Sequence, residues 1–403
     1  VVTKPVFRLV DWALIVMSGA HSPTRRRQGD SSTRRRLIIA GVGVLVVALV
    51  AAGTVVSRSG DKVSASPTTT PTPHASTSKL PLEVVSVSPT DGATGVPSDA
   101  SLTVTYSAPL SAHSPTPTLT PPVAGTWQQV DPTTMAFVAA APLVPSSSET
   151  ITVPSGADGV LGADGKTLAQ GATVQFTVAA GSTLRLQQLL AELGYLPVGF
   201  TPAGPVTAPQ ELAQPQEGTF AWRFSEPASL VSQWTPGVSS VITKGAVMTF
   251  EDQHGLKADG EAGPAVWGAL LAAVAAGTVD TSAYNYVFVS KSLPETATVY
   301  SDGKAVYSTL ANTGASSVPT ADGTFPVFEH LTSTTMSGTN PDGSKYVDPN
   351  IPWVSYFNGG DALHGYVRSA YGFPQSDGCV EMPPANAAVV FPYTPIGTLV
   401  TVS

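Results

Sequence analysis

The chain has 403 residues, 42% of them hydrophobic and only 12% charged, with a formal net charge of −8. A single cysteine, Cys379, excludes an intramolecular disulfide, and with it the zinc fingers and iron–sulfur clusters that need several thiolates. Residues 1–36 hold eight basic and two acidic residues, so +6 sits there and −14 on the remainder, and an acidic body argues against nucleic acid as a partner.

In chain order, residues 1–36 read as a basic cytoplasmic leader. Residues 1–16 precede Met17, and the expectation is that translation starts at Met17. Leu37–Val56 (LIIAGVGVLVVALVAAGTVV) is free of charge and at about 1.5 Å per residue spans about 30 Å, the hydrocarbon thickness of a bilayer. Arg34, Arg35 and Arg36 just before it fix the orientation by the positive-inside rule, so 37–56 is expected to be a transmembrane helix or signal anchor that exports everything after it. A cleaved signal peptide, cut near Ala51–Gly53, exports the same body. Residues 57–81 are rich in Ser, Thr and Pro and read as an extended linker, because they cannot bury enough apolar surface to fold.

Residues 82–180 alternate apolar and polar positions, as in Leu102–Tyr106 and Val174–Val178, and are punctuated by turn pairs such as Asp158-Gly159 and Asp164-Gly165. Short strands with frequent turns predict a β-sandwich. The opening SPTDGATGVP (88–97) resembles bacterial immunoglobulin-like spacer domains. Residues 181–280 change character. Leu184, Leu186, Leu189, Leu190 and Leu193 follow helical spacing, and Gly194 is placed to stop the helix. The segments LRLQQLLAELGYLP (184–197) and AVMTFEDQHGLKADGEAGPAVWGALL (246–271) resemble the two helical halves of a small peptidoglycan-binding domain, parted by a long insertion at 198–246 that carries Trp222 and Trp234.

From Tyr284 the strand pattern returns, with a hairpin expected at Asp302-Gly303. The lone cysteine lies in a Gly-containing turn, Ser376-Asp377-Gly378-Cys379, fifteen residues after His364. A thiol paired with an imidazole is a candidate nucleophile, because the imidazole can take the thiol proton. Gly378 allows close backbone approach, with N–H groups turned towards a developing oxyanion. The alternative for the cysteine alone is a buried structural thiol. The other histidines are scattered and no H-E-x-x-H motif occurs, so a metal protease is not indicated, and neither a cofactor nor a metal is expected. His254 reads as a surface or capping residue and His330 as a surface one.

TADGTFPVF (320–328), LHGY (363–366), YGFPQS (371–376) and SDGCVEM (376–382) together resemble the L,D-transpeptidase catalytic domain of bacterial cell-wall enzymes, over residues 284–403. The fold class expected is therefore multidomain: an N-terminal transmembrane helix, an immunoglobulin-like β-sandwich, a small helical peptidoglycan-binding-like module and a mainly-β catalytic domain. The resemblance implies Cys379 as the nucleophile that attacks a peptidoglycan stem peptide and releases its terminal D-alanine. It implies His364 as base, the Gly365 carbonyl as the group orienting the imidazole, the N–H groups of Gly378 and Cys379 as the oxyanion hole, and Ser376 as the Ser of the family signature. An amine of a second stem would resolve the thioester into a 3→3 cross-link; water would make the site an L,D-carboxypeptidase. Tyr356 and Trp353 are candidate cleft residues.

Two positions depart from the family pattern. Asp377 stands where a His is usual, and Glu381 where an Arg or Asn is usual. Asp377 can disfavour the thiolate, orient His364, or only stabilise the turn. Glu381 implies a substrate end that is not a simple carboxylate, or a pair with Arg368. An inactive wall-binding scaffold is the alternative these departures motivate. The localisation expected is a single-pass membrane protein with its catalytic part in the cell wall.

Overall fold

The computed structural model describes residues 81–403 apart from 207, 226 and 341. The leader, the apolar span 37–56 and all but the last residue of the linker lie outside the described residues. Among those described, no helix is long and apolar enough to cross a membrane.

The first domain is built from β1 (Val84–Ser88), β2 (Thr103–Tyr106), β3 (Thr118–Thr120), β4 (Gly125–Asp131), β5 (Thr134–Ala139), β6 (Ser148–Val153) and β7 (Ala172–Thr177). One sheet has the order β1-β2-β5-β4 and the other β3-β6-β7. The period-2 pattern places Val104 and Tyr106 of one sheet and Ile151, Val153, Val174 and Phe176 of the other in a common core.

The middle segment holds α1 (Thr183–Glu192), a two-stranded ribbon of β8 (Val198–Pro202) and β9 (Gly218–Trp222), the short α2 (Ala228–Val231), α3 (Val241–Gln253) and α4 (Pro264–Ala276). Local sequence sets the helix ends. Ser182 and Ser240 cap α1 and α3 by accepting from the N–H groups of Arg185 and Thr243, and Gly277 ends α4 in the left-handed region. His254 closes α3, stacked on Phe250 at 3.9 Å with Nδ1 bonded to the Phe250 carbonyl at 2.8 Å.

The insertion folds onto α1 through a row of buried polar side chains. Arg185 donates to the Leu212 carbonyl, Gln188 exchanges two hydrogen bonds with the Gln216 backbone, and Gln187 bridges Val238 and Gly237. Its aromatics close over the core: Phe220 packs on Phe200 at 5.0 Å and on Trp234 at 5.5 Å, and Trp222 lies half-buried against the same cluster. These rings pack, partly buried, against the core of the segment.

The last domain has two sheets. β10 (Asn285–Ser290), β11 (Thr296–Ser301), β12 (Lys304–Leu310), β13 (Gly323–Pro326) and, at the C-terminus, β18 (Leu399–Val402) form one, ordered β12-β11-β10-β18-β13. β14 (Glu329–Thr339), β15 (Lys345–Asn358), β16 (Asp361–Gly365) and β17 (Val380–Met382) form the other in sequence order. α5 (Pro384–Val390) packs on β15 and β16. Asp302 and Gly303 both have positive φ and close the expected hairpin between β11 and β12.

The middle segment is not a detached bead. Its core takes in Tyr286 and Leu399 from the five-stranded sheet, and α3 lies against β13 and β18. Gly245 makes the closest approach: a Cβ there would stand 2.6 Å from the Gly397 carbonyl oxygen and 2.8 Å from Leu399. Gln233 adds a hydrogen bond to Thr324 at 2.9 Å.

Beside Gly260, α3 also buries the carboxyl of Glu251, which accepts the Gly260 N–H at 2.8 Å and is pushed up to about 7, chiefly by desolvation. A carboxyl whose folded value lies above its unfolded one loses stability as pH rises from about 4.5 to 7, because the folded state must then ionise it at a cost. Glu251→Gln keeps the acceptor and removes the charge. Calorimetry at pH 8 is expected to show a melting temperature raised by about 2–4 °C, with the difference vanishing at pH 4.

Candidate active site

The chemistry collects at the end of the second sheet. β16 and β17 run parallel, with Leu363 opposite Val380 and His364 opposite Glu381. This pairing brings the His364 strand beside the turn that carries Cys379. Gly378 has φ +113°, a conformation that L side chains rarely adopt, and a Cβ on it would meet Asp361 Oδ1 at 2.8 Å. Ser376 staples the turn: its hydroxyl donates to the Cys379 carbonyl at 2.5 Å and accepts from the Gly378 N–H at 3.3 Å.

A cavity of about 580 Å³ opens here. Cys379, His364, Asp377, Glu381, Arg368 and Tyr356 line it, all named by the sequence as site candidates. The far wall comes from the long β14–β15 hairpin, through Met336, Tyr346, Asp348 and Ile351 among others.

His364 is 3% exposed, and its Nδ1 stands 3.1 Å from the Gly365 carbonyl. A carbonyl only accepts, so Nδ1 carries the proton and Nε2 the lone pair. Burial pulls the imidazole below its ordinary value, and the Gly365 bond and nearby Glu381 work against that pull without cancelling it. The ring is therefore neutral at neutral pH. The Cys379 thiol is pushed up to about 12, first by desolvation and then by the charges of Asp361, Glu381 and Asp377, with only the Ala362 backbone opposing. Its Sγ lies 3.6 Å from the Gly360 carbonyl, as a thiol donor. The resting pair is thus neutral thiol and neutral imidazole.

Arg368 and Glu381 pair in the bidentate fashion, at 2.8 and 2.7 Å, with the guanidinium 4.6 Å above the Tyr366 ring. The Tyr366 hydroxyl donates to Asp348 at 3.3 Å, and Tyr371 bridges the Tyr366 carbonyl and the Arg368 N–H. The sequence offered Arg368 as one possible partner of Glu381, and the structure makes that pair.

Several candidates stand elsewhere. Trp353 is not in the cavity wall: with φ +59° it turns off the strand and packs on Phe391 at 5.4 Å, against the core of the domain. Gly365, Gly378 and Ser376 act through the backbone and the turn and do not line the cavity. The Gly378 N–H is directed at Ser376 Oγ, so the proposed pair of oxyanion donors loses one member within the turn. Asp377 does not orient the imidazole, whose Nδ1 is taken by Gly365. It is exposed at the cavity, where its charge opposes the thiolate. His330 stacks on Phe391 at 3.7 Å, away from the cavity. The sequence reading missed Tyr346, Asp348 and Asp361 as wall residues, and it had no signal for the first two, which reach the cavity only by strand pairing.

Residues 284–402 match the family model of the L,D-transpeptidase catalytic domain, 78–178 that of a bacterial Ig-like domain, and 231–270 that of a peptidoglycan binding domain. The three families are those the motifs resemble, but the peptidoglycan-binding match takes in the end of the segment read as an insertion and leaves out 184–197, read as the first half of that domain. Solved structures similar to the chain include an L,D-transpeptidase from Mycobacterium smegmatis, at 14% identity over 80% of this chain and 100% of that one, with a TM-score of 0.27. The catalytic domain of the E. faecium L,D-transpeptidase is 28% identical over 30% of this chain and 96% of that one, TM-score 0.28. An L,D-transpeptidase from Stackebrandtia nassauensis is 23% identical over 44% and 86%, TM-score 0.24. A comparison with curated proteins finds no match.

Proposed function

We propose that the chain is an extracytoplasmic L,D-transpeptidase that acts on peptidoglycan stem peptides through a thioester on Cys379. The observation that carries this reading is the shared cavity of Cys379 and a neutral His364 whose Nδ1–H is held by Gly365, which leaves Nε2 as a base. As the substrate carbonyl arrives, Nε2 takes the thiol proton while Sγ bonds to the carbonyl carbon. The C–N bond then breaks and the proton passes to the leaving amine. An acceptor amine, giving its proton to the same nitrogen, resolves the thioester into a cross-link. For the 3→3 product, that amine belongs to the side chain of a second stem.

Upstream, the apolar span 37–56 serves as anchor, the linker 57–81 and the β-sandwich 82–180 as a spacer, and the segment 181–280 as a wall-facing module fixed to the catalytic domain at 284–403. Export follows from the triple-Arg flank and the polar, Ser/Thr/Pro-rich follower.

Incubation of the full chain with muropeptides released from peptidoglycan, followed by mass spectrometry, tests the reading. Cross-linked dimers that have lost the part of the donor stem beyond the scissile bond are expected from wild type, with a loss of at least a thousandfold in Cys379→Ala, which lacks the nucleophile. Shortened monomers alone would make the site a carboxypeptidase. No product at all would favour a wall-binding scaffold, a reading the carboxylates around the thiol would then explain.

A further inference from the structure

The cavity is unusual in its charge. Four carboxylates line it, those of Asp348, Asp361, Asp377 and Glu381, against one guanidinium, that of Arg368. Arg368 gives Nε and Nη2 to Glu381 and lays its face on Tyr366, so its charge is largely spent inside the wall. The carboxylates of Asp348, Asp361 and Asp377 remain over, and those of Asp361 and Asp377 are among the charges whose fields reach the Cys379 sulfur.

The residue on the leaving side of the scissile bond has its carboxyl carbon about 2.5 Å from the departing nitrogen, across one Cα. Whatever charge that carboxyl bears therefore enters the same small volume as the nucleophile. A carboxylate placed there faces three others with no unspent cation, in a cleft walled by tyrosines that keep the local dielectric low.

Resting on the acyl-transfer reading above, we infer that the leaving residue carries no free carboxylate: its carboxyl group is a carboxamide or continues into a further peptide bond. The step balances as before. Sγ bonds to the carbonyl carbon, the C–N bond breaks, and the thiol proton reaches the departing amine through His364. The amine departs neutral and takes a further proton from water: with a masked carboxyl it becomes a net cation, which the surrounding carboxylates favour, whereas a free amino acid keeps a carboxylate that they repel. Glu381 and Asp377 are the specificity-determining residues, the first by occupying Arg368 and the second by direct repulsion.

The test uses the full chain and two synthetic stem peptides that differ only in a terminal D-alanine carboxylate or carboxamide. Intact mass of the Cys379 adduct and release of alanine or alaninamide give the acylation rates. Wild type is expected to acylate at least tenfold faster with the carboxamide. Asp377→Asn, at an exposed position, should narrow the preference, and Glu381→Gln, which frees Arg368 to meet a carboxylate, should abolish or invert it. Equal rates from the two peptides in wild type overturn the inference and leave the transpeptidase reading standing. An adduct with neither peptide, together with no product from muropeptides, removes the transpeptidase reading and this inference with it.

Discussion

Alkylation of Cys379 by iodoacetamide at pH 7 is expected to run about a hundredfold slower than that of an exposed thiol. A thiol held at about 12 is thiolate at roughly one part in 10⁵ at pH 7, against a few per cent for an unperturbed cysteine. The greater basicity of the anion returns about one power of ten or more. The chain has one cysteine, so the label reports this site alone. The rate should rise with pH well past 9. Asp377→Asn, which removes one of three opposing charges, should raise it about three- to tenfold at pH 7. The pH profile of the proposed reaction has a different shape. His364 lies below its ordinary value and Cys379 far above, so between them the pair stays neutral and competent for concerted proton transfer. Plotted against pH, kcat/KM should climb on the acid side below about 6.5 and stay flat to at least pH 9. A thiolate–imidazolium ion pair would instead give rapid alkylation at pH 7, and that result would sink the neutral-pair mechanism.

How much of this was readable beforehand depended on how locally each feature is encoded. Cys379, Gly378 and Ser376 form one turn, and His364 sits on the strand that pairs beside it, so a short motif carried both ends of the site. The order of a strand-rich, a helical and a second strand-rich segment followed from periodicity. The cavity wall did not, because strand pairing supplies it from far along the chain. Tyr346 and Asp348 arrive on the β14–β15 hairpin, where two-residue alternation fails. Asn350 and Trp353 both take left-handed φ near 59°, and the register slips between Thr334 and Met336. After each irregularity the parity of the strand changes. Tyr346 and Asp348 face the cavity, Ile351 joins them from the other parity, and Trp353 is turned into the core. A reading that counts every second residue cannot see those turns. The insertion at 198–246 was opaque for a related reason. It is fixed by Arg185, Gln187 and Gln188, polar positions of α1 that an apolar periodicity passes over.

Arg368→Met should destabilise the C-terminal domain by about 2–3 kcal/mol, read from urea denaturation. The loss comes from stranding the Glu381 carboxylate, which is buried, and it falls short of the full figure for a deep pair because the guanidinium side is about a third exposed. The same change reaches the base. Glu381 stands opposite His364 in the β16–β17 register, its charge raises the imidazole's proton affinity, and that of Arg368 lowers it. Without Arg368 both effects push the same way, so the acid limb of kcat/KM should move to higher pH. Arg368→Met combined with Glu381→Met removes the stranded charge and should recover most of the stability, since well-packed apolar replacements of an ion pair are often neutral. It should also bring the acid limb back down, because the carboxylate that held the proton is gone. The two readouts separate the roles of the pair. If the double variant is as unstable as the single, the cost lies in lost packing of the arginine stem on Tyr366 and not in the uncompensated charge. If stability recovers while the acid limb stays high, Glu381 is not what sets the basicity of His364.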